Sequence, residues 1–370
     1  MVTTDRKLRD VEATPALIVD AAKVARNVER LAAYAMSHGI GVRPHTKTHK
    51  SLGMARRQIQ AGAVGLTTAK VGEAEVMAEA SSDLLIAYPT VDEYRCRRLA
   101  KLARGGVTVR VAADSTEGVE ALAGAARAAG TRIGVLVDLD VGFHRTGAPS
   151  PSAALELAQH VTRHPSLRLD GLFLYPGHVW APSDQQAGEL ERIDAPLSES
   201  VDLWNRSGLE AGVVSGGSTP TAYQSHLLTR QTEIRPGTYI YNDMNTVRAG
   251  FCSLDDCAAT IVCTIVSTAA PGKVVIDGGT KTLTSDRNVT APDSGHGLVV
   301  EYPDATITRL SEEHGEIDVA RCERRPRIGE RVTVIPNHIC PCVNLQDAFW
   351  LRREDGGLEP MRVDTRGRLS

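Results

Sequence analysis

Two short stretches carry side chains whose types and spacing suit covalent or metal chemistry. The first is Arg43-Pro44-His45-Thr46-Lys47-Thr48-His49-Lys50, where lysines, histidines and an arginine crowd together. A lysine amine attacks carbonyls when desolvation or neighbouring cations lower its pKa, because either effect favours the neutral form. Lys47 is the candidate, and a plain basic loop that meets phosphate or solvent is the competing reading. The second stretch is Pro336-Asn337-His338-Ile339-Cys340-Pro341-Cys342. In an extended segment residues two apart point the same way, which would set the His338 imidazole and the Cys340 thiolate on one face as two ligands of an open metal site. Cys342 either joins them or pairs with Cys340 on oxidation. A pair that contains a thiolate suits zinc, whereas manganese and magnesium prefer oxygen.

Such side chains need a frame. Ile40 and Val42 precede Pro44, and an apolar period over 52–59 follows, so Lys47 reads as part of a loop between a strand and a helix. Apolar runs recur at 39–43, 64–69, 83–88, 107–113, 132–139, 167–175, 211–215 and 232–241, with helical stretches such as 73–80, 94–103, 117–129 and 153–161 between them. Eight strands alternating with helices predict an α/β chain with a (β/α)8 TIM barrel, whose active site is built from the loops after the strands. No Gly-x-Gly-x-x-Gly occurs, which argues against an open dinucleotide-binding sheet. Residues 15–20 read as an additional strand that joins the second domain, ahead of an amphipathic helix over 21–38. Beyond about residue 250 the helical period fades, and strand-like runs at 260–267, 273–277, 296–301, 315–320 and 330–335 predict a C-terminal mainly-β domain. The expected division is a barrel over 13–250 and a β-rich domain over 251–370 together with 1–12. The polar tail from Glu354 reads as a strand with a frayed end.

Composition narrows the function class. A hydrophobic content of 42% and a net charge of −3 fit a folded protein that handles small molecules, and give no electrostatic case for nucleic acid or a membrane surface. No apolar run approaches the ~18 residues of a membrane helix, and the polar N-terminus points to a cytoplasmic protein. Seven cysteines, an odd count without framework spacing, point to reduced thiols.

The string from Arg43 to Lys50 resembles the cofactor-lysine segment of the D-threonine aldolase and D-serine dehydratase family, pyridoxal 5'-phosphate (PLP) enzymes of the alanine-racemase-like barrel type. The match falls on Lys47 as the residue that carries the cofactor. Further stretches fit the same resemblance. In Val213-Val214-Ser215-Gly216-Gly217-Ser218-Thr219, glycines would let backbone amides approach a phosphate held by Gly216, Gly217, Ser218 and Thr219, and a helix expected from near Thr221 would add its dipole; a generic Gly-Gly turn is the bland alternative. Arg235-Pro236-Gly237-Thr238-Tyr239-Ile240-Tyr241 matches a family segment whose tyrosine contacts the phosphate, here Tyr241, though a buried tyrosine with a satisfied hydroxyl would look the same. Asp140-Val141-Gly142-Phe143-His144-Arg145-Thr146-Gly147 places Arg145 beside the cofactor phenolate, or else as an exposed charge. Tyr175 matches an active-site tyrosine, and His178 is a base or an ordinary loop residue.

The resemblance also implies a divalent metal on His338 and Cys340, a weaker supporting place for His314, and a homodimer. It implies a lyase acting on β-hydroxy D-amino acids. Retro-aldol cleavage to glycine and an aldehyde ranks first, and dehydration to a 2-oxo acid and ammonia is the alternative. A racemase or a non-catalytic PLP-binding protein ranks below both. The chain departs from the aldolase pattern at Ala181, where a loop histidine is expected, which leaves the retro-aldol base open.

Overall fold

A computed structural model describes residues 11–370, so the assignment of residues 1–10 to the β-rich part lies outside the described residues. Contacts divide the chain into two compact units. One comprises residues 29–47, 52–237 and 367–370; the other comprises the described residues up to Val28, 48–51 and 238–366. The change therefore falls at 237/238, earlier than the residue 250 read from the sequence, because the helical period fades only after the chain has left the barrel.

The chain opens with β1 (Ala16–Asp20) and α1 (Ala21–Ser37). The barrel strands follow: β2 (Gly41–Val42), β3 (Leu66–Thr68), β4 (Asp83–Ile86), β5 (Thr108–Ala113), β6 (Ile133–Leu139), β7 (Leu167–Leu174), β8 (Val213–Gly216) and β9 (Glu233–Ile234). Each lies within one of the eight apolar runs or departs from it by a residue. They pair in parallel in the order β2-β9-β8-β7-β6-β5-β4-β3. The two ends of that row meet through the loop after β2, where His45 bridges Thr67 and the Val64 and Thr67 amides donate to the Val42 and Pro44 carbonyls at 2.9 Å. Between strands run α2 (Leu52–Gln60), α3 (Val71–Met77), α4 (Glu93–Arg104), α5 (Thr116–Ala129), α6 (Pro151–Thr162) and α7 (Ala187–Arg206).

Alternation along each strand sorts its residues. Leu84, Ile86, Val109, Val111, Val135, Val137 and Leu172 join a continuous apolar core with helix residues such as Leu99, Leu122, Leu157 and Trp204. Their neighbours turn into the barrel, where Leu85, Ala112, Leu136 and Phe173 form a small apolar cluster. Beside it lies a charged layer: Arg43, just after β2, pairs with Glu233 at 2.9 Å and with Asp83 at 2.6 Å, and Arg110 of β5 with Asp170 of β7 at 2.8 Å. Gly65 makes room for this layer, since a Cβ there would fall 2.1 Å from an Arg43 guanidinium nitrogen.

In the other unit β1 lies between antiparallel β10 (Ala259–Ser267) and parallel β16 (Ala348–Arg352). The sheet also takes β11 (Lys273–Ile276), β12 (Leu298–Val299), β13 (Thr306–Leu310), β14 (Gly315–Asp318), β15 (Arg331–Ile335) and β17 (Leu358–Arg362). The short helices of this unit are α8 (Met244–Arg248), α9 (Thr280–Leu283) and α10 (Ile339–Asn344). The extra strand at 15–20 thus joins the β sheet as expected, whereas β13 and β16 escaped the sequence pattern. The chain's last residues are not frayed: the Ser370 carbonyl accepts from the Gly72 amide at 2.8 Å. No helix among the described residues is long and apolar enough to cross a membrane.

Candidate active site

At the C-terminal end of the barrel, the β2 loop is fixed by its backbone. The His45 amide donates to Pro236 O at 3.0 Å, the Thr46 amide to Thr67 O at 2.8 Å, and Thr67 Oγ1 to Arg43 O at 2.8 Å. Lys47 follows directly and its side chain is exposed. Arg43 is buried and committed to Glu233 and Asp83, and residues 48–51 belong to the other unit.

Three further candidates come together on the same rim, around a residue the sequence reading did not single out. The Phe143 ring meets Tyr175 edge-on at 5.3 Å and stacks with His178 at 6.5 Å, and the Arg145 guanidinium lies 4.9 Å from both the Phe143 and the Tyr175 rings. Gly177 permits this, because a Cβ there would fall 2.2 Å from the Tyr175 ring. His178 and Arg145 are exposed, as loop-borne contact residues are. Phe143 lies two residues before Arg145, and an aromatic inside that glycine-rich stretch was the available signal.

The turn after β8 packs closely on β9. A Cβ on Gly216 would fall 2.1 Å from Gln231 Oε1, and Gly217 has φ +78° with Ile234 3.1 Å from its Cβ position. Gly217 therefore needs glycine for its left-handed backbone, whereas at Gly216 the Gln231 side chain would have to move. Ser218 is buried and its amide donates to Thr221 Oγ1 at 3.1 Å, so that donor is spent inside the turn. The helix expected near Thr221 is a 3-10 segment, Ala222–Leu227. β9 ends at Ile234, and Tyr241 is a fully buried residue of the other unit.

Deeper in the barrel, two buried ionisable groups were not anticipated. Burial pulls Arg235 down to about 10 despite Glu233 and Asp138, and its guanidinium lies 3.7 Å from the Phe173 ring while donating to Ser215 Oγ and Leu174 O. Burial pushes the Asp138 carboxyl up to about 6, against the opposing pull of a Thr146 hydrogen bond and of Arg235.

In the β-rich unit the predicted pair is in contact, but not as an extended segment. His338 has extended backbone and precedes α10, while Cys340 is already inside that helix. Burial opposes the His338 charge, yet the Cys340 sulfur, Asp243 and Asp286 together raise it to about 9. His338 Nδ1 lies 3.0 Å from Asp286 Oδ2. A carboxylate on one ring nitrogen fixes the tautomer and leaves Nε2 for a ligand, the usual outer support of a metal-bound imidazole. Cys340 Sγ lies 3.2 Å from Thr48 Oγ1 and 3.6 Å from Thr238 Oγ1. Cys342 instead directs its thiol to the Leu283 and His338 carbonyls, each at 3.3 Å, and burial holds it well above the ordinary thiol range. His314 lies exposed between β13 and β14. Asp286, 52 positions from His338 in the chain, had no local signal.

The donor types at several of these positions suit a cofactor and a metal. The rim offers an exposed lysine on a rigid loop, an arginine beside a tyrosine, and a turn whose backbone a side chain would obstruct. The imidazole and thiol with a supporting carboxylate form a nitrogen–sulfur donor set for a borderline-soft divalent ion.

The chain matches the family described as alanine racemase, N-terminal domain, over residues 19–245, and a putative serine dehydratase domain over residues 258–351. It belongs to the alanine racemase N-terminal domain family. It is 30% identical to the 3-hydroxy-D-aspartate aldolase of Paracoccus denitrificans strain Pd 1222, covering 91% of this chain and 87% of that one. It is 29% identical to the D-threo-3-hydroxyaspartate dehydratase of Delftia sp. strain HT23, covering 94% and 96%. Structures of a dehydratase of that name include one with a histidine replaced by alanine and a metal-free form with a cysteine, two positions further on, replaced by alanine. The D-threonine aldolase of Filomicrobium marinum superposes with a TM-score of 0.89 at 30% identity, covering 97% of each chain.

Proposed function

We propose that this protein is a PLP-dependent lyase, assisted by a divalent metal, that acts on β-hydroxy D-amino acids. The observation that carries the reading is the His338–Cys340 donor pair with Asp286 behind the imidazole, in a chain whose barrel also presents Lys47. A racemase works only at Cα and has no need of a cation that binds a β-hydroxyl.

PLP bound through Lys47 supplies an electron sink for negative charge at the substrate Cα. A divalent ion, zinc before manganese or magnesium, held by His338 and Cys340 supplies Lewis acidity toward the β-hydroxyl. Arg145, beside Tyr175, offers a cation to the anionic oxygen of the cofactor ring, and the turn from Gly216 to Thr219, apart from the Ser218 amide held by Thr221, offers backbone amides to its phosphate. Tyr241 is kept as a phosphate contact from the resemblance.

Retro-aldol cleavage to glycine and an aldehyde is the first outcome, with a His178 ring nitrogen accepting the hydroxyl proton. Dehydration to a 2-oxo acid and ammonia is the second, with the Lys47 amine accepting the Cα proton. One observation favours it: the second metal donor is a cysteine two positions after the histidine, the spacing of the substituted pair in the dehydratase structures. A homodimer in the cytoplasm completes the reading, and seven free cysteines agree with a reducing compartment.

The test is incubation of the purified holoenzyme with D-threonine, D-serine and D-threo-3-hydroxyaspartate, with and without chelator. Glycine supports the aldolase outcome and a 2-oxo acid the dehydratase outcome. No turnover of any β-hydroxy D-amino acid overturns the reading, and activity that survives complete metal removal overturns the role of His338 and Cys340.

A further inference from the structure

A second set of metal-ligating side chains lies on the helical face of the barrel. His160, in the last turn of α6, and His164, just beyond it, are four positions apart and so lie on one side of the helical path. The Arg163 and His164 amides still donate to the His160 and Val161 carbonyls, at 3.2 and 3.1 Å, which keeps the turn intact between the two imidazoles. Glu120 reaches them from α5. Its Oε1 lies 3.0 Å from His160 Nε2 and 3.2 Å from His164 Nε2, and the three donor atoms all fall within 4.8 Å of one another.

The distances alone would suit two ion pairs, but the alignment does not suit hydrogen bonds. Both Nε2 atoms are buried and neither forms a hydrogen bond, although Glu120 Oε1 stands 3.0 and 3.2 Å from them. A cation among the three donors would satisfy nitrogens that the protein leaves unpaired. Donors about 2.0–2.2 Å from a tetrahedral zinc ion lie roughly 3.3–3.6 Å apart; the two glutamate-to-imidazole distances fall a few tenths of an ångström short of that, and the two imidazole nitrogens lie within 4.8 Å of each other. The frame is also rigid: Ser115 caps α5 through the Gly118 amide and Ser150 caps α6 through the Ala153 amide, with Pro151 in the first turn.

We propose that Glu120, His160 and His164 form a binding site for zinc or a similar borderline divalent ion, separate from the His338–Cys340 pair. It has three protein ligands, and the exposed Glu120 side leaves a fourth position open to water. Occupied, the site ties α5 to α6 and stabilises the barrel by mass action, since the unfolded chain does not hold the three donors together.

The test counts zinc per chain in holoenzyme dialysed against metal-free buffer, and follows the thermal midpoint as zinc is titrated back. Relative to wild type, the His160→Gln/His164→Gln variant loses one equivalent and its zinc-dependent rise in midpoint, while turnover of the best substrate is unchanged. Glu120→Gln, an exposed substitution that leaves folding alone, weakens the same equivalent. In a His338→Ala/Cys340→Ala background, bound cobalt gives visible bands without sulfur-to-metal charge transfer, and the histidine pair is needed for them. An unchanged zinc count and an unchanged midpoint response in the His160/His164 variant overturn the proposal.

Discussion

Lys47 has a fixed backbone and a side chain in solvent, so its chemistry can be removed without disturbing packing. Lys47→Ala is expected to lower turnover by at least about 1,000-fold. Its unfolding midpoint should stay within about 0.5 kcal/mol of wild type, as for other surface changes. Borohydride reduction, digestion and mass spectrometry check the assignment: the pyridoxyl adduct falls on Lys47 in wild type and is absent from the variant. Asp138 is the opposite case, a carboxyl buried in the barrel and raised to about 6. Unfolded, it would titrate near 3.9. Between those values the native state binds the proton more readily, so stability contributed below about pH 4 is lost as pH rises through 6, by up to about 3 kcal/mol. Urea midpoints measured from pH 4 to 7 should show that decline in wild type and a flatter profile in Asp138→Asn.

At the level of strands and loops, the charged layer inside the barrel is the feature with most at stake. Arg43→Met leaves Glu233 buried without its cation and is expected to cost about 3–5 kcal/mol, read as a lowered urea or thermal midpoint. Gly177→Ala acts differently, because its Cβ would displace the Tyr175 ring and with it the packing of Arg145 and Phe143. A displacement of about 1 Å at a site can cost roughly 100-fold in rate. We expect kcat/KM to fall by about 10- to 100-fold while the midpoint barely moves; a normal rate would remove Tyr175 from the site. The eight barrel strands were legible because their outward faces are apolar and lie against helices, which gives each a hydrophobic run. The inward charges were not, since Arg43 and Glu233 lie 190 positions apart and neither interrupts its run in a telling way. Tyr241 shows the same limit: the apolar run over 232–241 continues past the end of β9 and gave no sign that the chain had changed units.

Taken as a whole, the molecule carries two donor sets that a chelator would reach with different consequences. One was legible as His-x-Cys, because its ligands are neighbours in the chain; its supporting Asp286 was not. The other joins His160 and His164 to a glutamate 40 positions before His160, and only folding of α5 against α6 makes it a set. If the first holds the ion that reacts and the second an ion that braces, metal removal should separate into two measurements. Chelation of the wild-type holoenzyme is expected to abolish turnover and also to lower the thermal midpoint. His160→Gln/His164→Gln should keep turnover, and keep its sensitivity to chelator, but show no further fall in midpoint through the barrel site. Cys340→Ser should lose turnover at any zinc level that leaves the barrel site filled, since a hydroxyl is a poorer ligand than a thiolate for this ion. Readding zinc to chelated wild type and recording both quantities along one titration checks the separation. Two distinct zinc dependences support it, and a single shared one, unaltered by the His160/His164 substitutions, would leave the braced-barrel role without a cause.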